Sequence, residues 1–247
     1  MTLSMPSIKL SVNVNKVATL RNSRGGKEPD VLEAVAACIT AGAPGITVHP
    51  RADQRHIRTS DVLAIAELLR TFPQVEYNIE GDPRPNLLEL VLRVRPTQCT
   101  LVPVAPGELT SQAGWPAETA VDELKSIVSS IKKLGVRVSM FVDPVGDAVK
   151  WAAAVGGDRV ELYTEPFARA FEAGRGEASF QTYVQAAELA HSLGLGVNAG
   201  HDLDLKNLPL FRKLPHLQEV SIGHALISHA LYVGLERSVR DYLDALR

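Results

Sequence analysis

Cysteine is nearly absent from this sequence. The two present, Cys38 and Cys99, each sit in an apolar run, AVAACITAGA and QCTLVPV. That excludes a disulfide-stapled scaffold and reads as two buried thiols in a reducing compartment. An excess of charge is lacking too. The formal net charge is -2, so there is no broad basic field for nucleic acid, and any anion binding has to be local. No apolar run approaches the ~20 residues of a membrane-crossing helix. The opening MTLSMPSIKL has no apolar core of a secretion signal. These absences lead us to expect a cytoplasmic protein with neither membrane nor nucleic acid as partner. No G-x-G-x-x-G follows the first predicted strand, which counts against an open dinucleotide-binding sheet. No linker, low-complexity tract or clear internal repeat divides the chain, so residues 1–247 read as a single domain.

What is present is alternation. Short β-branched runs at 9–15, 45–50, 75–80, 98–103, 137–143, 159–165, 196–201 and 219–225 are separated by segments with helical apolar spacing. Pro29 reads as the first residue of one helix and Ser60 as the cap of another. Gly135 and Pro96 read as stops. Eight strand–helix units in about 250 residues point to α/β architecture, a (β/α)8 or TIM barrel, with a doubly wound sheet as the competitor. The stretch EPFARAFEAGRGEA (165–178) reads as a mobile flap or an extra helix.

In such a barrel the C-terminal ends of the strands carry the chemistry. Strand one ends in Asn13, Asn15 and Lys16. Strand two gives His49 and Arg51, with His56 close behind. Strand three gives Glu76 and Asn78, with Glu80 just beyond. Strand five ends at Asp143 and strand six carries Glu161. Strand seven gives Asn198 and His201, and strand eight Ser221, Gly223 and His224. One strand carboxyl is often only a satisfied structural group, but His, Glu and Asn converging from several strands point to an active site. By contrast His191, His216 and His229 read as surface residues, Trp115 and Trp151 as packing, and Asp53 and Gln54 as solvated loop.

Two places read as anion sites. SIGHALIS runs from a strand through Gly223 into a helix, and NAGHDL makes a similar turn, so backbone N–H groups are available there. In VNVNKVATLRNSRGG, Arg21 and Arg24 beside Gly25 and Gly26 read as a flexible loop whose guanidiniums grip a phosphate. Two anion sites on one face imply two phosphorylated substrates or one bisphosphate.

The segments VNVNKVATLRNSRGG, GITVHPRADQRHI, VEYNIEG, VNAGHDL and IGHALIS, in this order and spacing, resemble the pyridoxine 5′-phosphate synthase family, from about Lys9 to the C-terminus. The resemblance implies a TIM barrel with extra helices, assembled as a homo-octamer (a tetramer of dimers), without metal or organic cofactor. It implies a transferase of vitamin B6 biosynthesis that joins 3-amino-2-oxopropyl phosphate to 1-deoxy-D-xylulose 5-phosphate, giving pyridoxine 5′-phosphate, phosphate and water. Motif by motif, it implies His49 as an acid–base group, Glu76 as general base, His201 as proton donor and Glu161 as an aid to the transition state. It implies that Asn13, Arg24, Asp202, Gly223 and His224 hold the aminoketone phosphate. Asn15, Lys16, Arg51, His56 and Thr110 would hold the sugar phosphate.

Three positions depart from the family pattern. Asn15-Lys16 stands where an Asp-His pair is usual, Asp202 stands where Gly is usual, and Thr164 is followed by Glu-Pro. A carboxylate beside a phosphate repels it, so the Asp202 side chain is expected to point away while its backbone binds. Two other readings use the same residues. One is a divalent-metal sugar isomerase with His49, Glu76, Glu161 and His201 as ligands. The other is a non-catalytic sensor of a phosphorylated metabolite.

Overall fold

The structure is a computed structural model that describes residues 8–104 and 111–247. Its strands are β1 (Lys9–Asn13), β2 (Gly45–Val48), β3 (Glu76–Gly81), β4 (Gln98–Leu101), β5 (Arg137–Val142), β6 (Arg159–Tyr163), β7 (Gly196–Gly200) and β8 (Leu217–Ile222). They pair in parallel, in sequence order, and β8 closes back on β1. This is the (β/α)8 barrel, and the doubly wound alternative is excluded.

Among the described residues the helices are α1 (Asn15–Arg24), α2 (Val31–Thr40), α3 (Thr59–Leu69), α4 (Pro85–Val94), α5 (Val121–Lys132), α6 (Gly146–Val155), α7 (Glu165–Glu172), α8 (Gly176–Ser192), α9 (Leu208–Phe211), α10 (His224–Val233) and α11 (Leu235–Ala245). Three exceed the eight that close the βα units. The 165–178 stretch folds as α7 and the start of α8. The C-terminal helical pattern breaks at Gly234, whose φ of 84° ends α10. The third is α1, where the sequence reads as a loop.

Two helix starts differ from expectation. Pro29, expected as the first residue of a helix, precedes the cap: α2 begins at Val31, and the Asp30 carboxylate caps it by accepting from the N–H groups of Leu32 and Glu33. Ser60 lies inside α3, whose first turn is closed by Asp61 accepting from the Arg58 N–H at 2.8 Å.

Strand alternation divides the residues into two sets. Outward positions such as Leu10, Ile46, Ile79, Leu101, Met140, Leu162 and Val220 are buried under the helices and form the apolar core. Barrel lumens are usually filled by branched apolar side chains. Here the inward set is polar: Ser11, Thr47, Asn78, Gln98, Thr100, Ser139, Asn198 and Glu219 are all buried. Contacts between strands that are not neighbours prove the direction, because in a closed barrel they can meet only through the lumen. Gln98 of β4 donates to Glu219 of β8 at 3.3 Å, and Asn198 of β7 reaches Gln98 at 3.3 Å. Buried polar groups are tolerated because they bond one another. Cys38 and Cys99 are buried free thiols, pushed up to about 12 by burial.

Candidate active site

A cavity of about 290 Å³ opens at the C-terminal ends of the strands. Its floor is the top of the polar lumen. Glu80 on β3 and Glu161 on β6 both line it and both are buried. Burial and repulsion from Glu161 and Glu219 raise Glu80 well above the ordinary carboxyl range. Burial and the Glu219 charge raise Glu161 to about 8. At neutral pH the pair therefore keeps protons that exposed carboxyls would have lost. Glu161 owes its seat to Gly200 on the neighbouring β7, since a Cβ there would lie 2.5 Å from Glu161 Oε1.

Two imidazoles form the walls. His49 follows β2 and its Nε2 is buried without a partner among the described residues. Burial, reinforced by His56, Arg51, Arg84 and His201, lowers His49 to about 3, so the ring is neutral at physiological pH. Its backbone is pinned from β1, because the His49 N–H donates to Asn15 Oδ1 at 3.0 Å and the Asn15 N–H donates to Asn13 Oδ1 at 3.0 Å. Asn15 thus spends its side-chain oxygen on placing His49. His201 follows β7 and is lowered by burial. Its ring packs 5.3 Å from both Phe141 and Tyr163. His201 and Asp202 carry φ values of 82° and 57°, a left-handed turn that non-glycine residues seldom adopt. Thr164 holds that turn by donating to Gly200 O at 2.6 Å.

The rim is cationic. Lys16, Arg51 and His56 line it, and His56 is lowered to about 4 by burial and then by Arg51 and Lys16. Gly223 caps α10 at the same mouth, and a Cβ on it would meet Asn13 at 3.1 Å. Asp202 and His224 also line the cavity and are solvent-exposed.

Most residues named from sequence meet here: Asn13, Asn15, Lys16, His49, Arg51, His56, Glu161, His201, Asp202, Gly223 and His224. Three do not. Thr110 lies outside the described residues. Arg24 is exposed at the end of α1 and does not line the cavity. Glu76 begins β3, four residues and about 13 Å before Glu80. It faces the opposite end of the lumen and bonds Lys9 and Arg137. Burial would raise Glu76, but those two cations together hold it low. The metal reading required Glu76 beside His49, and the structure separates them.

Glu80 is the carboxyl that sequence reasoning undervalued. The signal was available, because residues 76, 78 and 80 share one face and the last lies nearest the C-terminal end. Phe141, Ser111 and Leu203 also line the cavity, and nothing in their chemistry set them apart.

Arg21, expected with Arg24 to grip a phosphate, is a buttress instead. Arg21 is buried and makes a two-pronged pair with Asp61 at 2.7 and 2.9 Å. Arg21 Nη2 and Asn22 Nδ2 donate to the carbonyl of His56 at 3.2 and 2.8 Å. Helix α1 thereby fixes the loop that carries His56.

The profile of the family described as pyridoxal phosphate biosynthesis protein PdxJ matches residues 10–247. The chain belongs to this family. Pyridoxine 5′-phosphate synthase of Porphyromonas gingivalis is 53% identical over 239 residues, covering 96% of this chain and 98% of that one. The enzyme of the same name from Christiangramia forsetii is 52% identical over 240 residues, covering 97% and 99%. As a PdxJ-family member the chain is an enzyme of vitamin B6 biosynthesis, of the pyridoxine 5′-phosphate synthase type. Solved structures add the fold alone. Thiamine phosphate pyrophosphorylase of Pyrococcus furiosus superposes with a TM-score of 0.63 at 12% identity, covering 97% of this chain and 95% of that one. A 3-keto-L-gulonate-6-phosphate decarboxylase of Vibrio cholerae gives 0.62 at 13%, covering 99% and 100%. No helix among the described residues is long and apolar enough to cross a membrane.

Proposed function

We propose that this PdxJ-family enzyme condenses 3-amino-2-oxopropyl phosphate with 1-deoxy-D-xylulose 5-phosphate, releasing pyridoxine 5′-phosphate, inorganic phosphate and water. The observation that supports this most is one cavity that holds three neutral imidazoles and two proton-retaining carboxyls beside the cations Lys16 and Arg51. The chemistry calls for that set. An amine adds to a ketone and water leaves as a Schiff base forms. Protons then move between carbon, nitrogen and oxygen while phosphate and a second water depart and the ring closes. Each transfer gains about 10²–10⁴-fold from a placed acid or base. His49 and His201, both neutral, can accept or donate in turn. Glu80 takes the place expected of Glu76, as an acid–base carboxyl that starts protonated, because it is the β3 carboxyl at the cavity. Glu161 serves the same substrate from β6.

Lys16, Arg51 and His56 suit the sugar phosphate, and Asn13 with the N-terminal N–H groups of α10 at Gly223 and His224 suits the aminoketone phosphate. Asp202 contributes its backbone and keeps its carboxylate toward solvent. No step here calls for a metal or an organic cofactor. We also take the enzyme to be cytoplasmic and to form a homo-octamer. The exposed Leu231 and Tyr232 of α10, 72% and 88% accessible, support self-association, and sedimentation velocity checks it.

The deciding experiment mixes metal-stripped protein with both substrates and follows pyridoxine 5′-phosphate by absorbance and phosphate by a coupled assay. Equal release of both supports the proposal. Binding of both substrates without product would overturn it in favour of a sensor.

A further inference from the structure

Two buried side chains outside the cavity converge on the turn that carries His201. Thr164 follows β6 and Asn207 precedes α9; they are 0% and 3% accessible, and neither lines the cavity. The Thr164 hydroxyl donates to Gly200 O at 2.6 Å and also reaches His201 O. Asn207 Nδ2 donates to Asp202 O at 3.1 Å, while its Oδ1 accepts from the Asp204 N–H at 2.9 Å. Those partners leave the amide one orientation, since a carbonyl only accepts and an N–H only donates. Three consecutive carbonyls, 200 to 202, are thus held by two side chains.

Both side chains serve the turn at the expense of their own helices. Thr164 stands at the N-cap of α7 and Asn207 at the N-cap of α9. Thr and Asn in that position ordinarily accept from the first N–H groups of the helix they begin. Neither does so here. Local rules broken at two places that meet at one point mark a functional constraint. What they hold is costly backbone: His201 and Asp202 are successive non-glycine residues at φ 82° and 57°. The turn leaves the His201 ring at the cavity, with centroids 5.3 Å from both Phe141 and Tyr163. Tyr163 is braced in turn, because the Tyr183 hydroxyl of α8 donates to its carbonyl at 2.7 Å.

We propose that Thr164 and Asn207 are positioning residues that hold His201 and Asp202 in the left-handed conformation, so that one turn presents both the imidazole and the backbone that receives the aminoketone phosphate. This rests on the site reading above and extends it to two residues that touch no substrate. Without the donors, the carbonyls of 201 and 202 lose their buried partners, and the turn has nothing to offset its backbone strain. The sugar-phosphate side of the cavity, at Lys16, Arg51 and His56, is carried by other elements and is left in place.

The turn is read first in crystals of the unliganded protein, which need no substrate and so fail or succeed separately from the reaction assay. Thr164→Val keeps the shape and removes the hydroxyl. It should release residues 201 and 202 from the left-handed region and take the His201 ring away from Phe141 and Tyr163. An unchanged turn overturns the proposal. Steady-state turnover reads the consequence. Thr164→Val should lower kcat by about 10²-fold, the effect of a misplaced group. It should raise KM for 3-amino-2-oxopropyl phosphate by about 10-fold, roughly one net hydrogen bond, and leave KM for 1-deoxy-D-xylulose 5-phosphate unchanged. Thr164→Ser returns the hydroxyl and should recover most of both losses. Asn207→Asp keeps the acceptor for Asp204 and loses the donor to Asp202. It should raise the same KM alone, and it carries the test if Thr164→Val does not fold. Both KM values rising together, or no recovery in Thr164→Ser, would mean general damage to the barrel mouth and would overturn the assignment.

Discussion

Replacing Glu161 with Gln should stabilise the protein while disabling it. The carboxyl is moved from an ordinary 4.5 to about 8, with burial as the first cause and the Glu219 charge as the second. Below pH ~4.5 it is neutral in both folded and unfolded chains and contributes no difference. Between pH ~4.5 and 8 the unfolded chain releases the proton and the folded chain keeps it. The folded state then binds more protons, so stability falls as pH rises, by about 1.4 kcal/mol per pH unit for one group. By pH 7 the loss reaches ~3 kcal/mol. Gln copies the neutral acid in shape and in donating toward Thr100, and it has no proton to lose. Glu161→Gln should therefore match wild type near pH 4.5 and exceed it by ~3 kcal/mol at pH 7, or roughly 6–12 °C in Tm for a domain of this size. Urea unfolding at one protein concentration, from pH 5 to 8, reads this directly. Trp115 and Trp151, stacked with centroids 5.9 Å apart, supply the fluorescence signal. Wild-type and variant curves running parallel across that range would refute the reasoning. Lost turnover alongside gained stability is the trade expected of a strained catalytic group.

Glu76→Gln should leave kcat within a few-fold of wild type and lower stability by at most about 1 kcal/mol, since its partners Lys9 and Arg137 are partly solvated; a 10²-fold loss of kcat in steady-state assays would return Glu76 to the chemistry. Arg21→Ala should cost about 3–5 kcal/mol by leaving the Asp61 carboxylate buried without its cation, and denaturation that shows under 1 kcal/mol would refute the buttress role of α1. Gly200→Ala should displace the Glu161 carboxyl, cutting kcat by about 10-fold or more and destabilising by about 1–3 kcal/mol through overpacking; a crystal structure with Glu161 unmoved and normal kcat would show that the seat tolerates a methyl group.

The sequence by itself determined the barrel, its closure from eight alternating units, and the strand ends at which polar groups collect. These follow from periodicity, which is a local property of the chain. It also carried the family resemblance and pointed to His49, Glu161 and His201, polar residues in or just beyond a strand. Tertiary structure decided which end of a strand each inward residue faces. In VEYNIEG the order along the strand already sets Glu80 nearer the C-terminal end than Glu76, but only the register against β2 and β4 brings the one to the cavity and the other among Lys9 and Arg137. It also turned Arg21 from a free cation into a buried anchor, because Asp61, forty residues away in sequence, closes the pair. The proton-retaining carboxyls were illegible for the same reason: their state depends on burial and on charges from other strands, which a one-dimensional pattern does not contain.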